Sequence, residues 1–357
     1  MPRAEVLLGV LCSLGSIAAG AEDGSLPSFN LFQSPPAESQ TLWKWQAPTA
    51  TLSSILLLNG TLYALSATAG VWRISEKGGV LWHKPISGAR WAGTFLDQLW
   101  LQEGNDTLVA IDQQYAYVHW QHRFSAALAT LPCAFNQNLW VVDQDRQLWQ
   151  IHSATGQRFL WMNLGGAEQP MALGASEERR LLLAADPWLA IDTIHKASER
   201  LPALPRPHRR DPQWTARLDG LYFLDADRRL NCIYDAARVN IYKPADVERY
   251  WLVDPYIVLY QDKTQTLQVL KDGQTMFTQP GLESCPQGVG NLDDHILIFL
   301  PKGEVRGIDS RSWQDAFQFN LESPPAERQP VLMHGDTAYY VNYEGTLIAA
   351  VILIDLF

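Results

Sequence analysis

The stretch 99–120 constrains the fold more than any other part of the chain. It reads Leu-Trp-Leu-Gln-Glu-Gly-Asn-Asp-Thr-Leu-Val-Ala-Ile-Asp, then Gln-Gln-Tyr-Ala-Tyr-Val-His-Trp. The pattern predicts a strand, a tight polar turn, a second strand ending in Ala-Ile-Asp, a second turn, and a third strand closing on Trp. The same grammar recurs with a period of roughly 40 residues, and a period of that length calls for a propeller or a solenoid.

Eight units follow one another. The first predicts strands over 54–58, 62–66, 71–75 and 80–82, with Asn59-Gly60 at the opening turn. Asn-Gly between apolar runs is a strong hairpin signal, because both residues tolerate positive φ. The second unit is the template, led by 91–96. The later units start near positions 133, 170, 214, 249, 288 and 330. Their registers agree. Asp112 to Trp120 is eight positions, as are Asp192 to Arg200, Tyr234 to Tyr242 and Asp309 to Phe317. Ser75 to Trp82 and Leu270 to Phe277 are seven, and His152 to Trp161 is nine.

The eighth unit is short of one strand. Thr346-Leu-Ile-Ala matches Thr107-Leu-Val-Ala, so its closing aromatic would fall beyond Phe357. Thr41-Leu-Trp-Lys-Trp45 alternates like a half-buried strand and has no sequence neighbour to pair with. The expectation is an all-β, eight-bladed β-propeller over 41–357, built of four-stranded antiparallel blades. The N-terminal strand completes the last blade and leaves no radial edge unpaired. Trp45 would then be the closing aromatic of that blade.

Composition fits a folded globular chain: 47% hydrophobic and 18% charged residues over 357 positions. Fourteen Trp suit a repeat that uses one per unit. The net charge of −10 argues against sequence-independent nucleic-acid binding, which needs a positive surface. At the N-terminus, Arg3 precedes a small apolar core over 6–19 and the A-x-A triplet Ala19-Gly20-Ala21. This predicts a signal peptide over 1–21, cleaved before Glu22, and an extended lead-in over 22–40. The apolar core is shorter than the roughly 20 residues of a spanning helix. The apolar C-terminal run 347–357 is shorter still and reads as an inner propeller strand, so no transmembrane span is expected in the mature chain. Cys133, Cys232 and Cys285 allow at most one disulfide, and all three read as small core residues.

The units resemble the pyrroloquinoline-quinone-type β-propeller repeat: an apolar strand ending in Ala-Leu/Ile-Asp, a Thr-Gly turn, and a strand ending in Trp. Ala110-Ile111-Asp112 to Trp120 carries it, as does Ile151 to Trp161 with Thr155-Gly156. Ala190-Ile191-Asp192 and Gly307-Ile308-Asp309 carry half of it. Export signal, size, eight units and N-terminal closure together resemble the BamB family of outer-membrane assembly scaffolds. The resemblance implies a non-enzymatic scaffold, periplasmic or otherwise extracytoplasmic and peripheral to a membrane. It would bind protein partners in an envelope or membrane-associated complex. One departure is that BamB-like proteins are lipoproteins, whereas Leu11 before Cys12 is a poor lipidation context.

The chemistry sought elsewhere gives little. Quinone dehydrogenases that share the repeat often stack the cofactor on adjacent cysteines, and this chain has no Cys-Cys pair. No cofactor and no metal are expected. Asp112, Asp192 and Asp309 fall at equivalent repeat positions and read as turn caps. His119 and His122 lie three apart on a strand, hence on opposite faces. Asp293-Asp294 and Glu177-Glu178 read as solvated turn residues. Asn59-Gly-Thr61 and Asn105-Asp-Thr107 are glycosylation acceptors only in a eukaryotic host.

Two connections read as candidate partner contacts. In the first, Arg90 and Trp91 join one unit's outer strand to the next unit's inner strand. Arg and Trp are favoured interface anchors, and the competing reading is that Trp91 packs between blades. The second, 201–212, holds four Pro and the basic run Arg206-Pro-His208-Arg209-Arg210. It is either a solvated loop or a docking element for an acidic partner. Trp45, Trp82, Asp112, Trp120, Thr155, Gly156, Trp161, Asp192 and Asp309 read as structural repeat positions. The alternative reading is a small-ligand binder or quinoprotein-type enzyme using the central channel. It would need converging polar groups, and the inner strands are mostly apolar or small.

Overall fold

The computed structural model describes residues 37–354, apart from 49–50, 59, 166–169, 176–179, 186–187, 202–203, 206–207, 209–214, 218–219, 235–238, 243 and 328. The expected signal peptide, the lipidation context of Cys12 and most of the lead-in lie outside the described residues. So do Glu177, Glu178, Arg206, Arg209 and Arg210.

The chain forms eight four-stranded antiparallel blades in a ring. The first strand, β1 (Ala37–Gln46), stands alone in sequence. Blade one is β2 (Ser54–Leu58), β3 (Thr61–Ser66), β4 (Gly70–Ile74) and β5 (Val80–Lys84). Blade two is β6 (Ala89–Phe95), β7 (Gln98–Glu103), β8 (Thr107–Asp112) and β9 (Val118–Arg123). Blade three is β10 (Cys133–Phe135), β11 (Asn138–Val142), β12 (Gln147–His152) and β13 (Arg158–Asn163). Blade four is β14 (Ala172–Ala175), β15 (Arg180–Ala184), β16 (Trp188–Asp192) and β17 (Ala197–Leu201).

Blade five is β18 (Thr215–Arg217), β19 (Gly220–Leu224), β20 (Leu230–Ile233) and β21 (Val239–Ile241). Blade six is β22 (Arg249–Val253), β23 (Tyr256–Gln261), β24 (Thr266–Lys271) and β25 (Gln274–Gln279). Blade seven is β26 (Gly288–Leu292), β27 (His295–Phe299), β28 (Glu304–Asp309) and β29 (Gln314–Asn320). Blade eight takes β30 (Leu332–His334), β31 (Thr337–Val341) and β32 (Thr346–Ile354) from the C-terminus and its outer strand β1 from the N-terminus.

The second strand of a blade, and in blade two the third as well, is buried almost throughout, because each blade is sandwiched between two others. That is why β8 and β31 are buried along their whole length and lack alternation, whereas the outer β1 alternates strictly. The core is therefore a ring of slabs between blades. One slab joins Leu99 and Ile111 of blade two to Tyr63 and Val71 of blade one. Another joins Trp100 and Ala110 to Leu139 and Ile151 of blade three. The slab that closes the ring joins Tyr339 and Ala349 of blade eight to Leu62 and Trp72 of blade one, with Trp43 and Trp45 packed against it.

The closing strand begins at Ala37, four residues earlier than the sequence pattern indicated, and pairs with β32 from Ala37↔Ile354 to Gln46↔Thr346. A β-bulge adds one residue to the outer strand just before the closing aromatic. The extra residue is Leu42 in blade eight, Leu81 in blade one, His119 in blade two, Met276 in blade six and Ala316 in blade seven. A bulge bends and twists a strand locally, which turns the next aromatic towards the neighbouring blade.

The described residues contain no disulfide. Cys133 and Cys232 are buried core residues, and burial pushes the Cys133 thiol up to about 12.

Candidate functional site

The repeat positions are structural. Asp112 Oδ1 accepts the backbone N–H groups of Gln114 and Tyr115 at 2.9 and 2.6 Å. Asp192 Oδ1 takes those of Ile194 and His195 at 2.8 and 3.0 Å. Asp309 Oδ1 takes those of Arg311 and Ser312 at 2.7 and 2.8 Å. Each carboxylate satisfies donors that the chain reversal would leave unpaired. The His195 side chain and backbone hold Asp192 well below the usual carboxylate range, at about 2. In blade three the place is taken by His152, whose Nδ1 faces Thr155 Oγ1 at 3.1 Å.

The capped turn receives the aromatic of the preceding blade. Trp120 Nε1 donates to the Ser153 carbonyl at 2.8 Å, and its ring lies over Gly156 (φ +69°). A Cβ on Gly156 would sit 2.5 Å from Trp120 Cγ. Trp82 Nε1 donates to the Gln113 carbonyl at 3.0 Å in the same way. In blade three the bulge falls at Trp161 itself. Its indole N–H is buried without a hydrogen-bond partner, and Lys196 Nζ lies 4.5 Å from its ring centre instead.

The closing blade corrects one reading. Trp43, not Trp45, makes the lock: its Nε1 donates to the Glu76 carbonyl at 2.6 Å, and a Cβ on Gly78 would lie 2.8 Å from its ring. Trp43 pairs with Ala349 as Trp120 pairs with Ala110. Trp45 instead packs edge-on against Trp72 at 5.6 Å. Strand alternation puts both tryptophans on one face, and only the bulged register chooses between them.

The candidate contact residues separate. Arg90 and Trp91 lie within β6, the innermost strand of blade two, and not in a connecting loop. The pairing of β6 with β7 carries through this stretch, with a bulge between Trp91 and Gly93. Trp91 Nε1 donates to Ser54 Oγ of blade one at 3.0 Å, and its ring meets Tyr63 edge-on at 6.5 Å. It packs between blades, while Arg90 is exposed. His208 follows blade four, its N–H donating to the Leu224 carbonyl at 2.9 Å. It is thus far along the ring from Arg90. Pro205, on the same connection, accepts from Trp188 Nε1 at 2.8 Å.

A site that sequence reasoning missed lies at the rim of blade two, where the hairpin turns β6–β7 and β8–β9 meet. Leu96 is 73% exposed, Tyr115 68% and Tyr117 51%. The turns are tied by Gln113, whose N–H donates to the Asp97 carbonyl at 2.8 Å and whose Nε2 donates to the Leu96 carbonyl at 3.2 Å. Beneath the tyrosines, one ligand atom each from Asp97, Asp112 and His119 lies within 4.8 Å of the others. Among the described residues this is the group that could hold a metal ion. Desolvation and the neighbouring Asp112 carboxylate raise the Tyr117 phenol above its ordinary value. The signal in the sequence was Tyr-Ala-Tyr-Val-His, two aromatics in a turn that should have been polar.

Eight four-stranded blades in a ring, with capped turns and indoles docked on the following blade, define an eight-bladed β-propeller. The family model of the outer membrane protein assembly factor BamB matches residues 59–198. BamB from Moraxella catarrhalis superposes with a TM-score of 0.58 at 12% identity, covering 88% of this chain and all of that one. The chain is thus a BamB-resembling propeller in repeat and fold. The computationally designed Ika8 protein matches at a TM-score of 0.63 with 10% identity, over 87% of this chain and 99% of that one. The Neurospora crassa Pan2 WD40 domain matches at 0.52 with 10% identity, over 88% and 95%. At these identities the likeness to solved structures is one of fold. Comparison with curated proteins gives no match. Among the described residues, no helix is long and apolar enough to cross a membrane.

Proposed function

We propose that this chain is an exported, non-enzymatic scaffold that holds protein partners in a cell-envelope complex. The observation that carries the reading is the rim of blade two, where Leu96, Tyr115 and Tyr117 stand exposed side by side. Large amphipathic aromatics on a rigid hairpin are efficient contact residues, because they bring area at little entropic cost. The locking tryptophans Trp82 and Trp120 are turned onto the neighbouring blade, whereas these three side chains take no part in that lock. The BamB resemblance of the repeat and the leader-like residues 1–21 support an extracytoplasmic setting.

The test is affinity capture from an envelope extract, with the tagged chain and its Leu96→Asp/Tyr115→Asp double variant. Both changes lie on exposed turn residues. The parent is expected to retain one or more envelope proteins in fixed ratio, and the variant at least about tenfold less, as hot-spot losses near 2 kcal/mol imply. Recovery of nothing by the parent, together with quinone- or calcium-dependent turnover, would sink the scaffold reading and favour a ligand site in the channel.

A further inference from the structure

We infer that Asp97, Asp112 and His119 form a binding site for a divalent transition-metal ion of the zinc class at the rim of blade two. The inference stands apart from the scaffold reading and needs no partner.

The equivalent turns of other blades supply the comparison. In blade seven the aspartates in the corresponding positions are Asp294 and Asp309, and Asp294 is ion-paired with Arg311. In blade four the second oxygen of Asp192 is held by His195 Nδ1 at 2.8 Å, a full hydrogen bond. In blade two the corresponding Asp–His contact is longer, and no arginine is paired with Asp97 among the described residues. Asp112 uses Oδ1 to cap its turn, its carboxylate also faces the Tyr117 hydroxyl, and Oδ2 faces His119 Nε2 at 3.6 Å.

That distance is the informative one. It is too long for a hydrogen bond. It is close to the ~3.3 Å that separates two ligand atoms of one tetrahedral zinc ion, given metal–ligand bonds of about 2.0–2.1 Å. His119 Nε2 is itself buried and has no hydrogen-bond partner. A buried ring nitrogen without a partner is costly, and a cation between it and two carboxylates would satisfy all three.

The bulge places the ligand. At the same extra position, Leu42, Leu81 and Met276 point to solvent and are 52%, 54% and 38% exposed. His119 turns inward and its side chain is only 17% exposed, braced edge-on by Tyr117 at 4.6 Å. Asp112 is fixed by its two backbone donors, and Asp97 sits on the exposed neighbouring turn, where its side chain can move to the ion. Arg73 of blade one approaches the same turn, but its Nη1 donates to the Gln114 carbonyl at 3.4 Å. One imidazole and two carboxylates suit zinc and its first-row neighbours. They are too few oxygens for calcium, which takes six to eight.

The test uses the purified full chain after treatment with a chelator. Titration with Zn²⁺ is followed by calorimetry, and titration with Co²⁺ by the visible absorption of its d–d bands. The parent is expected to bind one site-specific equivalent and to melt at a higher temperature with Zn²⁺ present. Asp97→Asn and His119→Gln should each weaken that binding by at least about tenfold, the scale of losing a determinant of a metal site. His195→Gln, at the surface His–Asp pair of blade four, should leave it unchanged. Absence of saturable binding in the parent, or parent-like affinity in Asp97→Asn or His119→Gln, would overturn the inference. Both variants keep the Asp112 cap, and a cooperative melt in the absence of metal verifies that they fold.

Discussion

A chain that begins after Gln46 is expected to lose its cooperative unfolding transition and to associate in solution. Strand β1 supplies the outer strand of blade eight and packs Trp43 and Trp45 onto the slab between blades eight and one. Without it, β32 presents nine residues of unpaired backbone, mostly apolar, as an open edge. Such an edge is a template for pairing with another chain. The ring would also lose the strand pairing between the two ends of the chain and the Trp43 and Trp45 packing on the closing slab, so the loss is larger than that of one strand. The milder change Trp43→Ala removes the indole over Gly78 and the bond to Glu76. It should cost about 3 kcal/mol, the lower end for a packed tryptophan because the side chain is only partly buried. Denaturant unfolding followed by fluorescence, with size-exclusion chromatography, reads both. A truncated chain that unfolds cooperatively as a monomer would remove β1 from the fold.

Gly156→Ala is expected to destabilise the chain by about 3 kcal/mol, a value that joins two costs. The residue sits at φ +69°, where an L side chain is strained. Its new Cβ would also lie 2.5–2.8 Å from three atoms of the Trp120 side chain, Cγ, Cβ and Cδ1. The indole cannot retreat without breaking its bond to the Ser153 carbonyl. By contrast, Gly104 also has positive φ (+61°) but no atom within 4 Å of an added Cβ. Gly104→Ala should therefore show the backbone cost alone, about 1 kcal/mol. Equal losses in the two variants, measured by chemical denaturation, would mean that the Trp120 contact contributes nothing.

The architecture was legible because the repeat writes the same lock many times. Asp112, Asp192 and Asp309 read as turn caps from their shared position, and each accepts two backbone donors in the structure. The ring closure was legible from Thr346-Leu-Ile-Ala and the unpaired strand near position 41. What was not legible depends on bulges. Alternation gives no means of choosing Trp43 over Trp45, and it misplaces any residue that is itself the extra one. In sequence, Arg90 and Trp91 fall in the stretch 87–93 that joins the outer strand of one unit to the inner strand of the next. In the structure Gly93 closes a bulge inside β6. The rim of blade two was hidden for the same reason. Asp97, Asp112 and His119 come from two hairpins, and only the bulge at His119 turns its ring towards Asp112. The Arg206, Arg209 and Arg210 reading lies outside the described residues, and His208 alone of that run is placed.

The claim on which the rest depends is that the two ends of the chain share blade eight. Hydrogen exchange on the full chain tests it most directly, residue by residue along β32. In an antiparallel strand, alternate N–H groups face the two neighbours, so one set of β32 amides bonds to β31 and the other to β1. Both sets are expected to exchange as slowly as the amides of Thr107–Asp112, a middle strand of the template blade. Fast exchange in the set that faces β1, with the β31-facing set still protected, would show an open ring and contradict the claim.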